Sequence, residues 1–463
     1  MSATATVLNP SHCPADVDPA EAIYQPFFKG GIALVLTLGA AWGAALLLRI
    51  ALLGSFTAVG LQEVNAHGHA QIFGWVGLFV MGFAYQQFPR FKQVALAYPR
   101  LARLSFALML GGIVLRSGLQ PLVGHLPWTL IPAAAGSIVE LAAIGLFLFV
   151  IVATFRRSLN PTRAYEFYIF AALAWFAVQG VYDTVYFVAT ALAPTRDHLL
   201  TLTATWQAPL REMQIHGFAM LMIFGVSQKI LPAFYRFPEV PRRRSLVLLA
   251  SILVGLAAQC TGFVLMRTAG HAWAALWYSG VLLMAGSSVV FALSLGLHRQ
   301  ALGADRSLKF IRTGYGWLLF SLLMLVLLPA YQFGLLRAVA PESHAAQIGF
   351  SHAYYGAIRH AITVGFISLM IVGVSAKVVP MLKGIPGSSL TSLWLPFALL
   401  NLGCFLRVSM QTLTDFNTAA FPVAGVSGLL EVTALALWGF HLWKVMNAKQ
   451  GPMHSCSLSK QSC

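Results

Sequence analysis

The chain has 463 residues, 58% of them hydrophobic and only 10% charged. Soluble domains run nearer 25% charged, so a soluble enzyme, a disordered protein and a secreted disulfide scaffold are excluded, and a polytopic membrane protein remains. The net charge of +16, from 30 Lys+Arg against 14 Asp+Glu, signals either a nucleic-acid partner or the loop bias that orients membrane helices; position along the chain decides.

The N-terminal tail, 1–26, is polar and acidic (Asp16, Asp18, Glu21) and lacks the basic start and early apolar core of a cleaved signal peptide. Apolar runs of spanning length follow near 27–53, 67–89, 101–121, 130–155, 164–192, 210–235, 245–267, 271–297, 310–336, 354–382, 390–413 and 419–444. The reading is an all-α fold of about twelve transmembrane helices in a single domain, 27–446, with a C-terminal tail at 447–463. The longest connections fall around 193–209 and 337–353. An even count puts both termini on one side, and that side collects 22 of the 30 basic residues. Both termini are therefore expected in the cytoplasm, with the chain in a bacterial inner membrane. The same sorting removes nucleic acid as a partner, because Arg242-Arg243-Arg244 is one short loop. The five cysteines contain no Cys-x-x-Cys, which argues against covalent haem attachment; the tail pair His454 and Cys456 reads as solvated chain.

Histidines sort the other way, nine of thirteen falling in outer loops or outer halves of spans. Span 2 reads His69-AQIF-Gly74-Trp75-VGLFVM-Gly82-FAYQQF-Pro89, and span 10 reads His360-AITV-Gly365-Phe366-ISLMIV-Gly373-VSAKVV-Pro380. Span 6 repeats the pattern with Glu212 at its head, then Gly217, Phe218, Gly225 and Pro232. The chain is thus three four-helix units, about 27–155, 164–297 and 310–444. The glycines allow close helix approach, and the proline suits a helix end.

Helix packing does not explain an ionisable residue heading each copy at membrane depth, where such groups are costly and functional. If the units surround a pseudo-threefold axis, His69 and His360 face a shared interior and suit bis-His ligation of a b-type haem; the alternative is a polar contact between helices. His67 projects about 200° away from His69 on a helix and serves a different neighbour. Glu212 and His216 share a face, either as a metal pair or with Glu212 orienting the imidazole. His352 lies about two turns outward of His360. A copper or second haem site would draw on His216 or His352, since imidazole does not select the metal. Arg211 and Arg359, each just before a repeat head, either snorkel to the interface or pair with haem carboxylates. Glu140, Asp183 and Glu431 are acids in or near spans, read as a proton relay or as local hydrogen-bond partners.

Twelve spans in three units, with histidines on spans 2, 6 and 10, resemble the catalytic subunit of the haem–copper oxidase and nitric oxide reductase superfamily. The segments His67-Gly-His69-AQIFGW and Arg359-His360-AITVGF look more specifically like the NnrS family of haem- and copper-containing membrane proteins. The NnrS resemblance implies haem b, copper, and a part in nitric oxide, denitrification-linked or respiratory metabolism. It also implies a periplasmic or membrane electron donor and NO or O2 as small ligand. Span 7 has no histidine, span 6 lacks His-Pro-Glu-x-Tyr and span 10 lacks His-x-His, so a complete oxidase centre is not expected. If the chain is an enzyme, it is an oxidoreductase of that superfamily. The competing readings are a catalytic oxidase or nitric oxide reductase subunit, a metal-free transporter and an assembly scaffold.

Overall fold

In the computed structural model, residues 22–448 are described; the two expected tails lie almost wholly outside them. Long helices follow one another along the chain: α1 Tyr24–Leu53, α2 61–92, α3 Pro99–Leu119, α4 Leu130–Arg156, α5 Ala164–Ala191, α6 Arg196–Tyr235, α7 Arg242–Thr268, α8 Ala274–Ser294, α9 Leu308–Val326, α10 His352–Leu382, α11 Trp394–Leu413 and α12 Ala420–Asn447. No strand occurs among the described residues. Ten of these helices are long and apolar enough to cross a membrane, so the chain is an all-helical, multi-pass membrane protein. Helices α2 and α11 stand in the places expected for spans 2 and 11 but are not among the ten. Both are long enough, so their polar content sets them apart; α2 alone carries His67, His69, Gln71, Gln86 and Gln87.

The ninth span, expected at 310–336, is broken after Val326 and resumes at Leu328, next to Pro329. Two helix starts lie earlier than expected because an apolar run marks where lipid begins, not where a helix starts. The expected loop at 193–209 is mostly helix, since α6 starts at Arg196 and runs unbroken for 40 residues. Its start is capped by Thr195, whose hydroxyl accepts from the His198 N–H at 3.1 Å. Helix α2 likewise begins at Leu61, where Glu63 Oε2 accepts from the Gly60 N–H at 2.7 Å. The loop at 337–353 contains a short helix, His344–Ile348.

Within each unit the last two helices pack closest: α3 on α4, α7 on α8, α11 on α12. Small residues permit this. A Cβ added to Gly280 would lie 2.4 Å from the Gln259 backbone nitrogen and 2.7 Å from the Gly255 carbonyl. The repeat glycines have the same use. The ring of Trp175 lies over Gly217 and that of Trp317 over Gly365, while Leu34 covers Gly74.

The repeat is also a repeat of backbone irregularity. After each head residue the helix widens into π geometry, over Ala70–Gly77, Met213–Met220 and Thr363–Ser368, and all three segments end eight residues past the head. Such bulges are rare and gather at functional sites. The repeat prolines lie in the last turn of their helices, as their spacing implied. Each helix runs two or three residues further, and the residue four past the proline (Gln93, Arg236, Gly384) takes a positive φ of 55°, 58° and 65°. Only the third copy uses glycine there, the residue that bears this conformation without strain.

Helices α2, α6 and α10 surround the pseudo-axis. Toward their proline ends they enclose an apolar cavity of about 80 Å³, lined by Phe79, Met222 and Met370 among others. It adjoins one of about 190 Å³ rimmed by Arg90 and Lys229.

Candidate functional site

The repeat heads do not meet in one shared interior. Each belongs to a junction between neighbouring units, and the three junctions differ in chemistry.

At the junction of units one and two, His69 is buried between two acids. Its Nε2 lies 2.8 Å from Glu140 Oε2 on α4 and its Nδ1 2.9 Å from Asp183 Oδ2 on α5. Arg116 on α3 stands 3.6 Å from Asp183, donates to Gln120 and lies over the Phe187 ring at 3.5 Å. Gln214 donates to the second Asp183 oxygen at 3.5 Å. Arg211 is held nearby, giving Nη1 to Gln214 at 2.7 Å and Nη2 to Asn65 at 2.9 Å. With a carboxylate at each ring nitrogen, His69 has no lone pair to offer a metal.

At the junction of units two and three, Glu212 Oε2 takes the His216 Nδ1–H at 2.6 Å, and Tyr355 donates to Glu212 Oε1 at 3.3 Å. Arg359 lies over the Tyr355 ring at 4.2 Å. Glu212 thus orients His216 and leaves Nε2 without a hydrogen-bond partner.

The junction of units three and one brings together His67 and His360. His67 Nδ1 donates to the Gly39 carbonyl at 3.0 Å, and His360 Nδ1 to the Gly356 carbonyl at 2.9 Å. The Gly39 carbonyl is presented by a π segment of α1, Val35–Gly39. The His67 ring lies against Gly43, where an added Cβ would come within 2.3 Å of it. Neither Nε2 has a hydrogen-bond partner. Both residues are half-buried, although Ala66, His69 and Ala361 around them are closed. His67, Arg407 and Arg359 are near enough to His360 to act on it through charge, and Arg407 acts likewise on His67.

The sequence reading paired His69 with His360; in the structure His67 is the histidine within charge range of His360, and His69 is held between Glu140 and Asp183. His352 makes no hydrogen bond to a junction residue: it is exposed at the first turn of α10, its ring edge-on to Phe350 at 4.8 Å. Among the described residues no three His, Cys, Asp or Glu side chains are arranged to hold a metal ion. The buried Arg116 and Arg407 were counted in the sequence only among the outer-side charges, not as site residues. Their signal was present, because Gly112-x-x-x-Arg116 and Gly403-x-x-x-Arg407 follow His69 and His360 at one constant offset.

The family model described as NnrS protein matches residues 21–449. The chain belongs to the NnrS family. A search of the curated proteins finds no match to it. For this NnrS protein the match runs through all three units.

Proposed function

We propose that this NnrS protein binds haem b between His67 and His360 and serves nitric oxide or denitrification-linked respiratory metabolism as an electron-transfer component of a bacterial inner membrane. The observation that carries the proposal is the matched state of the two imidazoles. Each gives its Nδ1–H to a backbone carbonyl, which fixes the tautomer and aims the Nε2 lone pair outward, as metal-bound histidines are held. Bound there, haem b would supply a one-electron couple. The chain's part is to hold the imidazoles, keep water away and set a low dielectric around the group. Gly43 lets His67 lie flat against α1, and Arg359 and Arg407 bring positive charge beside the pair. The loop-charge bias supports an orientation in which the pair would lie toward periplasmic or membrane-bound donors. Copper has weaker support: His216 offers one oriented nitrogen, with no third ligand arranged beside it.

The test is a pyridine haemochrome and Soret spectrum of the purified protein after haem-replete expression. His67→Ala and His360→Ala are expected to lose the Soret band, and His69→Ala to keep it. Loss on His69→Ala with retention on His67→Ala, or a wild type without haem, overturns the assignment. The metabolic role predicts that denitrifying cells lacking the chain tolerate nitric oxide less well; unchanged tolerance counts against it.

A further inference from the structure

His69, Arg116 and Glu140 of unit one recur as His360, Arg407 and Glu431 of unit three, with no insertion between them. Unit two has Glu212 and Gln259 at the first two places, and one residue beyond the third offset Met284 faces Gly255 as Glu140 faces Gly112, so only two of the three junctions carry the buried Arg–Glu set.

The surroundings of the two sets differ in one respect. In unit one Arg116 Nε and Glu140 Oε1 also lack a partner, but each residue of the set still makes at least one hydrogen bond or ion pair, and the group that completes the set comes from the next unit: Asp183 on α5 takes His69 Nδ1 and faces Arg116. The unit after the third is the first, and its helix there is α1. Leu34 on α1 and Trp175 on α5 cover the equivalent repeat glycines, so the stretch of α1 that matches Asp183 is Trp42–Gly43. It contains no carboxylate. Around it the polar groups are left open. Arg407 is 8% exposed, yet Nε and Nη1 have no partner. Glu431 Oε1 and the Trp42 indole N–H have none either. A buried guanidinium with two of its three nitrogens unpaired is rare in native proteins and marks a missing group. In the first copy, the group in that place is a carboxylate.

We propose that Arg407, assisted by the Trp42 N–H, binds the carboxylate of a ligand seated at the junction of units three and one, where Asp183 stands in the first copy. The proposal rests on the comparison of repeats and not on the haem reading. Two sources fit the chemistry: a carboxylate of haem itself, or a free small carboxylate beside the imidazole pair.

The experiment uses the full-length protein in detergent, titrated with haem b and with haem b dimethyl ester, whose carboxylates are blocked. If the haem supplies the carboxylate, wild type binds the ester roughly tenfold more weakly, the worth of one charge-assisted hydrogen bond. Arg407→Gln then brings the ratio near one, Arg407→Lys keeps part of it, and Arg337→Gln at an exposed site keeps all of it. If wild type binds the two forms equally, or neither, calorimetric titration of the haem-free protein with propionate decides. Binding to wild type and to Arg407→Lys but not to Arg407→Gln assigns a free carboxylate. No ester discrimination together with no propionate binding overturns the proposal, whether or not haem binds.

Discussion

Neutralising Glu140 and its repeat partner Glu431 by the same substitution, Glu→Gln, separates a closed charge network from an open one. Glu140 is 2% exposed and accepts from His69 Nε2 at 2.8 Å. Glutamine keeps the shape and one acceptor, so what is lost is the charge assistance of that bond and the attraction to Arg116. Hydrogen bonds to charged groups contribute about 1.5–3 kcal/mol, and stripping one partner from a buried pair costs about 3–5 kcal/mol. Because the acceptor survives, Glu140→Gln is expected to cost about 2 kcal/mol. Oε1 is buried without a partner in both glutamates, and the difference is that Glu431 has no hydrogen bond to match the one Glu140 Oε2 takes from His69. Substitution there removes an uncompensated buried charge along with some attraction to Arg407, and the two nearly cancel, leaving about 0.5 kcal/mol or less. Reversible unfolding in mixed micelles of dodecyl maltoside and SDS, followed by circular dichroism, reads the difference. Equal losses in the two variants, or a larger loss at Glu431, would refute the distinction between the closed set and the open one.

Two further outcomes follow from packing and from charge outside the membrane. Gly280→Ala forces a Cβ to within 2.4 Å of backbone on α7, whereas Gly286→Ala on the same helix meets nothing within 4 Å. The first is expected to cost about 1–3 kcal/mol and the second to be neutral or to gain up to about 1 kcal/mol; similar melting temperatures for both would contradict the close approach of α7 and α8. Asp305, in the loop before α9, is pushed up by burial, but Lys377 Nζ at 2.6 Å and the Ser307 N–H at 3.0 Å outweigh this and hold its carboxyl below the ordinary range. A carboxyl depressed on folding stabilises above its unfolded pKa, and that stability is lost as pH falls through the folded value. Asp305→Asn should therefore melt below wild type at neutral pH and converge with it under acid; a gap independent of pH would sink the assignment.

The repeat was legible because it rests on residue identity at fixed spacing, and the glycines do what the spacing implied. The choice between His67 and His69 was not. Residues two apart on a helix point about 200° apart, so the sequence says that they serve different neighbours but not which neighbour each has. That depends on α5 bringing Asp183 to one face and α1 bringing Gly39 to the other. Glu140 and Asp183 read equally as relay or as local partners; the structure gives both to His69. The π segments leave no mark in composition. Arg116 and Arg407 were legible but lay in spans 3 and 11, beyond the helices where the repeat was traced.

One consequence of the junction between the third and first units concerns the order of biosynthesis. His67 is made early and His360 late, and α12 must come to rest against α1 before that junction is closed. The neighbouring junctions can assemble as the ribosome delivers each unit. This one waits for the end of the chain, so the part of the molecule that faces His360 is a ring still open during insertion. Whatever the junction holds can enter from the side at that stage, without any later opening of a finished bundle.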